Sequence, residues 1–321
     1  MGLGRKKVAR AEERARSRFH MSIAPIGIGA PTMSSHGIPV SHQAFFAQSD
    51  VIRELADQGP CVIVGRCSDY VLGDRENCLK VFIHADLASR VRRCVEDYDM
   101  IAPGDTVAVG VSGGKDSLVL LLALNELRRY YPKPFSLEAI TVELGFEGMD
   151  FAPVAELCAS LGVPYTRLKT DIKEVVFDIR KEDNPCSLCA KMRRGALCTA
   201  LSERGITKLA LGHHFDDAVE TFLLSLVYEG RISCFQPVTH MTRTGVDQIR
   251  PMLYAGEGRI ANLAKALALP VVENPCPEDR GSKRHEVKEL IRTMSLTYPD
   301  LRSKVFGAIQ RAPLDGWEKA R

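Results

Sequence analysis

Residues 112–117 read Ser-Gly-Gly-Lys-Asp-Ser, an order of residue types suited to holding phosphates. Adjacent glycines allow the backbone to turn sharply with its N–H groups inward. Lys115 contributes a cation, and the hydroxyls of Ser112 and Ser117 contribute donors. A helix beginning here would add the positive end of its dipole. The loop is not a Walker A motif, because the spacing from Gly110 to Gly114-Lys115 is one residue short and Asp116 stands where Ser or Thr should follow the lysine. A second constellation is Cys186-Ser-Leu-Cys189, with a third thiol at Cys276 in Glu273-Asn-Pro-Cys-Pro-Glu-Asp279. A Cys-x-x-Cys pair directs two sulfurs to one centre and serves redox, zinc or iron–sulfur chemistry. Three thiolates with no evident fourth ligand suit a cubane that leaves one iron open, for example to hydrosulfide, better than closed tetrahedral zinc. A zinc clip is the alternative. Cys198 is a rival third ligand, although its place on the helix after the pair reads as core.

A third group is Gly212-His-His-Phe-Asp-Asp-Ala-Val-Glu-Thr221. Magnesium takes hard carboxylate oxygens, and either Asp116 or the pair Asp216 and Asp217 can supply them. Two acids opening a helix also suit an N-cap, so a purely structural role for one of them stands beside the metal-binding one. His213 or His214 would touch nucleotide or serve loop hydrogen bonds, and Glu220 would form a salt bridge or support the metal. Arg180, Lys181, Lys191, Arg193 and Arg194 flank the first cysteine motif, and Arg280, Lys283, Arg284, Lys288 and Arg292 follow the second. Basic residues beside both motifs are what an RNA backbone requires.

These groups need elements to position them. Thr106 to Val111 reads as a buried strand and Leu118 to about Arg129 as an apolar helix. Strands follow at 136–144, 163–168, 206–211, 248–253 and 269–272, interleaved with helices at 151–161, 215–228 and 260–267. Alternation of this kind predicts an α/β fold, a Rossmann-like parallel sheet with helices on both faces. Ligands of such sheets bind beyond the carboxyl ends of the strands, where the loop at 112–117 lies.

The remaining chain is of a different kind. Residues 1–41 form a basic arm and linker, expected to be poorly ordered. In 42–92, a helix from Ala44 to Gln58, strands at 61–65 and 79–84, and a helix from Leu87 capped by Asp86 are expected. A net charge of +3 does not itself argue for nucleic acid, so local patches must. Ten cysteines without a signal peptide, and no apolar run of membrane length, point to a cytoplasmic protein with reduced thiols and no membrane.

Two resemblances follow from these residues. Phe46 to Arg53, Val62 to Cys67 and Val81 to Ala85 resemble the middle of cytidylate-kinase-like proteins, without the Walker loop and arginine-rich lid that such a kinase needs. Residues 42–92 thus look like an incomplete nucleoside-monophosphate-kinase-like segment without kinase activity. The loop 112–117 resembles that of ATP-pyrophosphatases, which split ATP to AMP and pyrophosphate. With Cys186-x-x-Cys189, the Gly212–Thr221 stretch and Ile249-Arg-Pro251, the chain from 93 to 310 resembles the tRNA 2-thiocytidine synthetase family.

That resemblance implies a PP-loop thiolation domain over 93–321, with ATP, Mg²⁺ and a [4Fe–4S] cluster as cofactors and tRNA cytidine 32 as target. With the residue types above, Ser112, Gly113, Gly114, Lys115, Asp116, Ser117, His213 and Asp216 are assigned to the nucleotide and Lys115, Asp116 and Asp217 to catalysis; the resemblance does not settle which acid binds Mg²⁺. It gives Cys186 and Cys189 to the cluster directly, and Cys276 by a looser match. A sulfur donor, such as a cysteine desulfurase or its product, and a homodimer belong to the same implication. Lysidine synthesis on tRNA shares the adenylation but needs no sulfur centre. A nucleoside monophosphate kinase and a non-catalytic tRNA-binding protein are the readings from other classes.

Overall fold

The computed structural model describes residues 40–61, 63, 71–72, 75, 78, 86–181, 185–276 and 283–320, with backbone only for 40–48. It falls into two units, 1–83 and 84–321. In the first, α1 spans Val40–Asp57. The expected strand at 79–84, most of that expected at 61–65, the basic arm and most of the linker lie outside the described residues.

The second unit begins with α2 (Leu87–Asp97), and the Asp86 carboxylate accepts the Ser89 N–H at 2.7 Å, closing the first turn. Then follow β1 (Thr106–Gly110), α3 (Lys115–Leu127), β2 (Ser136–Glu143), α4 (Ala152–Ser160) and β3 (Tyr165–Lys169). A π-helical stretch, Glu174–Arg180, stops at Lys181 with φ of 47° and precedes α5 (Pro185–Glu203). The chain continues through β4 (Lys208–Ala210), α6 (Phe215–Glu229), β5 (Val238–Met241), β6 (Val246–Ile249), α7 (Glu257–Ala266), α8 (Lys283–Thr297) and α9 (Leu301–Arg311). No described helix is long and apolar enough to cross a membrane.

The sheet order is β3-β2-β1-β4-β6-β5. Every pairing is parallel except β5 with β6, so β5 and β6 form an antiparallel edge ribbon. From β1 the chain builds outward to β2 and β3, then returns to place β4 on the other side. The switch point therefore lies between β1 and β4, whose registers match Val107 with Lys208 and Val109 with Ala210.

Alternation along β1 sends its side chains to opposite faces. Val107 and Val109 join the larger core with Leu118, Leu121 and Leu124 of α3, whereas Ala108 joins Cys198, Leu201 and Leu209 beneath α5. α3 is buried nearly all round: Leu118, Val119, Leu120, Leu121, Leu124 and Leu127 are fully inaccessible. Burying each such side chain stabilises the fold by about 1.5–3 kcal/mol, which fixes the loop that α3 carries. Trp317 closes the base, donating to the Phe235 carbonyl at 3.0 Å and meeting Tyr98 edge-on.

Two expected elements differ. The strand expected at 248–253 ends at Ile249, where the chain turns after Arg250-Pro251. Residues 269–272 form no strand; the apolar run Leu269-Pro-Val-Val272 instead lies along the phosphate loop, where Val272 N donates to Gly113 O at 3.0 Å. Pro270 removes a ladder donor from the run, which disfavours its pairing as a strand.

Candidate active site

Three helix N-termini converge beyond the carboxyl ends of β1, β4 and β6. They are those of α3, α6 and α7, each opening soon after its strand. Their dipoles make this edge suited to anions.

The loop between β1 and α3 is shaped by its own residues. Ser117 Oγ donates to Gly114 O at 2.9 Å and accepts from Ser112 N at 3.2 Å, while Ser112 Oγ accepts from Gly114 N at 3.3 Å. Gly113 has φ of +86°, and a Cβ there would stand 2.8 Å from Val272 Cβ. Only glycine fits on both counts. Gly212 plays the matching part on β4's side: a Cβ would lie 3.2 Å from the backbone of Asp116 and Ser117. Its absence lets the two loops touch.

The charged groups at this edge close into a ring. Lys115 Nζ lies 3.1 Å from Asp116 and 3.2 Å from Glu257. Lys288 Nζ lies 3.5 Å from the other Glu257 oxygen and 3.6 Å from Glu220. Arg284 stands 3.6 Å from Glu220 and 3.7 Å from Asp217. His214 Nε2 completes the circuit, 3.4 Å from Asp217 and 3.7 Å from Asp116. Burial alone would lower the Lys115 ammonium, but the Asp116 and Glu257 carboxylates outweigh it and raise its pKa. Burial pushes Glu220 up to about 7 against the pull of Lys288 and Arg284.

The paired acids have separate tasks. Asp216 Oδ2 accepts the Glu257 N–H at 2.7 Å, capping α7, and its Oδ1 is bound by Arg302. Asp217 Oδ2 accepts His214 N at 2.9 Å, closing the first turn of α6. Asp116 differs, since its Oδ1 is buried without a hydrogen-bond partner and has lone pairs to give. A hard cation such as Mg²⁺ fits an oxygen of that kind.

His213 packs half-buried against Phe235, ring centroids 5.1 Å apart, and desolvation with Arg250 nearby lowers its pKa to about 4, so the ring is neutral. Arg250 sits over the same Phe235 ring at 5.0 Å and bonds Thr239 Oγ1 at 2.9 Å.

Cys186 and Cys189 occupy the first turn of α5, one turn apart and so on one face. Burial raises the Cys189 thiol; Arg193 pulls it down and Cys276 pushes it up, so the Cys276 sulfur lies within its electrostatic reach. Cys276 is four residues beyond Val272, which is bonded to Gly113; four residues span at most about 14 Å. Cys276 thus belongs to the loop's end of the sheet. As they stand, no three His, Cys, Asp or Glu side chains among the described residues are arranged to hold a metal ion. Cys198 is buried under the sheet's other face, with Gln248 Nε2 3.5 Å from its sulfur.

Sequence patterning did not point to Glu257 or Arg302. Glu257 follows Gly256 as the first helical residue after a strand and turn, which was the one available signal; Arg302 carried none.

A parallel sheet whose first strand turns through Ser-Gly-Gly-Lys-Asp-Ser into a buried helix at the switch point defines a PP-loop protein, and the PP-loop domain family matches residues 84–294. The cytidylate kinase-like family matches residues 1–107. Over 226 residues the chain is 38% identical to the tRNA-cytidine(32) 2-sulfurtransferase of Pelobacter propionicus, covering 70% of this chain and 84% of that protein. The protein of that name from Syntrophotalea carbinolica is 36% identical, with 68% and 85% covered. Among solved structures, the U34-tRNA thiolase NcsA from Methanococcus maripaludis with its [4Fe-4S] cluster matches with a TM-score of 0.57 at 28% identity, covering 69% of this chain and 76% of that one. The chain belongs to the tRNA-cytidine(32) 2-sulfurtransferase family, enzymes built on the PP-loop domain.

Proposed function

We propose that this tRNA sulfurtransferase makes 2-thiocytidine at position 32 by adenylating the cytidine C2 oxygen and then replacing it with sulfur. The oxygen attacks the α-phosphorus of ATP, the bond to pyrophosphate breaks, and the C2 oxygen becomes an ester of AMP. A sulfur nucleophile then attacks C2, and the C–O bond breaks with AMP as leaving group. Ser112, Gly113, Gly114 and Ser117 form the phosphate cradle, and Lys115 stabilises charge on the departing pyrophosphate. Asp116, with its unpartnered Oδ1, and Asp217 are the acids assigned to Mg²⁺. Asp216 acts by holding α7, and neutral His213 lines the nucleotide side.

Cys186, Cys189 and Cys276 would hold a [4Fe–4S] cluster, whose three-thiolate attachment supplies an open iron for a sulfur ligand when bound. Their donor chemistry fits that group. The observation that carries the reading is the Val272–Gly113 hydrogen bond, because it ties the segment bearing Cys276 to the phosphate loop. A cysteine-desulfurase product as donor, a cytoplasmic location and a homodimer belong to the same reading.

The test is anaerobic incubation of the protein with ATP, Mg²⁺, sulfide and unmodified tRNA. AMP and thiolated cytidine are expected in equal amounts. AMP without thiolated cytidine would replace this reading with another adenylation, such as attachment of lysine.

A further inference from the structure

Two acids of the charged ring, Glu220 and Glu257, have no part in the reaction so far, and of these Glu257 is the one that meets Lys115. We propose that Glu257 is a positioning residue that fixes the Lys115 ammonium so that one N–H remains aimed at the phosphates. The proposal rests on the reading of the 112–117 loop as the ATP site and deepens it.

A lysine ammonium carries three N–H donors and no acceptor. Two of them are engaged here, by Asp116 Oδ2 at 3.1 Å and by Glu257 Oε1 at 3.2 Å. Asp116 is the next residue in the chain and moves with the same backbone, so alone it does not set where the ammonium stands in the cavity. Glu257 comes from α7, a separate element, and supplies the second fixed point. With two donors held, rotation of the ammonium is restricted and the third donor has a defined direction.

Glu257 is itself held twice. Its backbone N–H is bound to Asp216 Oδ2 at 2.7 Å, which places the first turn of α7. Its second carboxylate oxygen faces Lys288 of α8 at 3.5 Å, so one oxygen serves Lys115 and the other is anchored. Asp216 in turn is bound by Arg302 of α9. Each side chain is the support of the one nearer the loop. The ammonium is therefore placed before nucleotide arrives, and preorganised charge acts most strongly where charge develops in the transition state.

A structural role for Glu257 is the competing account, since an acid in the first turn of α7 also complements the helix dipole. A double-substitution cycle with Lys115 separates the two. Pyrophosphate release from ATP and tRNA by the unaltered protein tests the underlying reading first. If that occurs, Glu257→Gln is expected to lower kcat by about 10–100-fold while ATP affinity by calorimetry changes less than about threefold. In a Lys115→Met background the same change is expected to cost less than about twofold, because the group it positions is gone. If the two losses multiply, or if affinity falls as far as kcat, Glu257 does not act through Lys115 and the proposal is overturned. Should Glu257→Gln fail to fold, Glu257→Asp decides. It keeps the charge and withdraws it by one methylene, so a smaller kcat loss that also vanishes with Lys115→Met is expected, and a loss that persists there overturns the proposal.

Discussion

The phosphate loop and the cysteine region lie at the same end of the sheet but are built in opposite ways. The loop is held by its own atoms, from the Ser112–Ser117 hydrogen bonds to the buried helix behind it, and its charges are already paired in a ring. The cysteines come from two distant stretches, Cys186 is exposed, and among the described residues no three His, Cys, Asp or Glu side chains are arranged to hold a metal ion. A phosphate chain is met by donors fixed in advance. A cluster, by contrast, can gather its ligands as it binds, because thiolate–metal bonds supply the free energy of closure. The two halves of the reaction should therefore be separable by substitution.

The largest effect expected is that of Cys186→Ser. Thiolated cytidine and bound iron should fall by at least about 100-fold, while AMP formation stays near the unaltered level. Loss of AMP formation as well would show that the two regions work as one. Gly113→Ala is the converse test, because Gly113 belongs to both. Its φ of +86° and the 2.8 Å approach to Val272 predict a loss of about 2–4 kcal/mol in urea unfolding. ATP binding and thiolation should fail together.

Asp216→Asn keeps the shape of the side chain and removes its charge from between Arg302 and the α7 N-terminus. Asp216 is buried but Arg302 is about one-third exposed, so a stability loss of about 2–3 kcal/mol is expected, below the about 3–5 kcal/mol of a fully buried pair. ATP turnover should fall with it through the displaced Glu257.

The smallest effect concerns pH. Glu220 titrates near 7 in the folded protein because of burial, against an ordinary value of 4.5. The native state thus binds more protons than the unfolded chain between those values, and stability from this group falls as pH rises through that window. Glu220→Gln should remove this dependence. Melting curves from pH 4 to 8 that run parallel for the two proteins would show that Lys288 and Arg284 compensate the buried charge fully.

Much of the nucleotide side was legible because its determinants are local. The strand, glycines, lysine and apolar helix of 106–127 follow one another in the chain, and each demands the next. Asp86 capping α2 was legible for the same reason. Val272 was misread because an apolar, β-branched run looks the same whether it pairs in a sheet or lies along a glycine loop. The edge ribbon β5–β6 was half seen, with β6 placed two residues late, because Arg250 and Pro251 look strand-compatible until the turn is known. Glu257 and Arg302 were invisible: charged residues near helix starts are common, and only folding reveals which of them meet.

The amino-acid sequence by itself determined the α/β alternation, the phosphate loop and the Cys-x-x-Cys turn, since glycine conformation, helix periodicity and i, i+3 spacing act over a few residues. The tertiary structure decided the rest. It brought Val272 onto Gly113, set the Asp216 carboxylate against the N-terminus of α7, and set Glu257 against Lys115 across 142 residues of chain. Contacts of that kind depend on where the sheet and its helices place distant segments, and no local pattern encodes them.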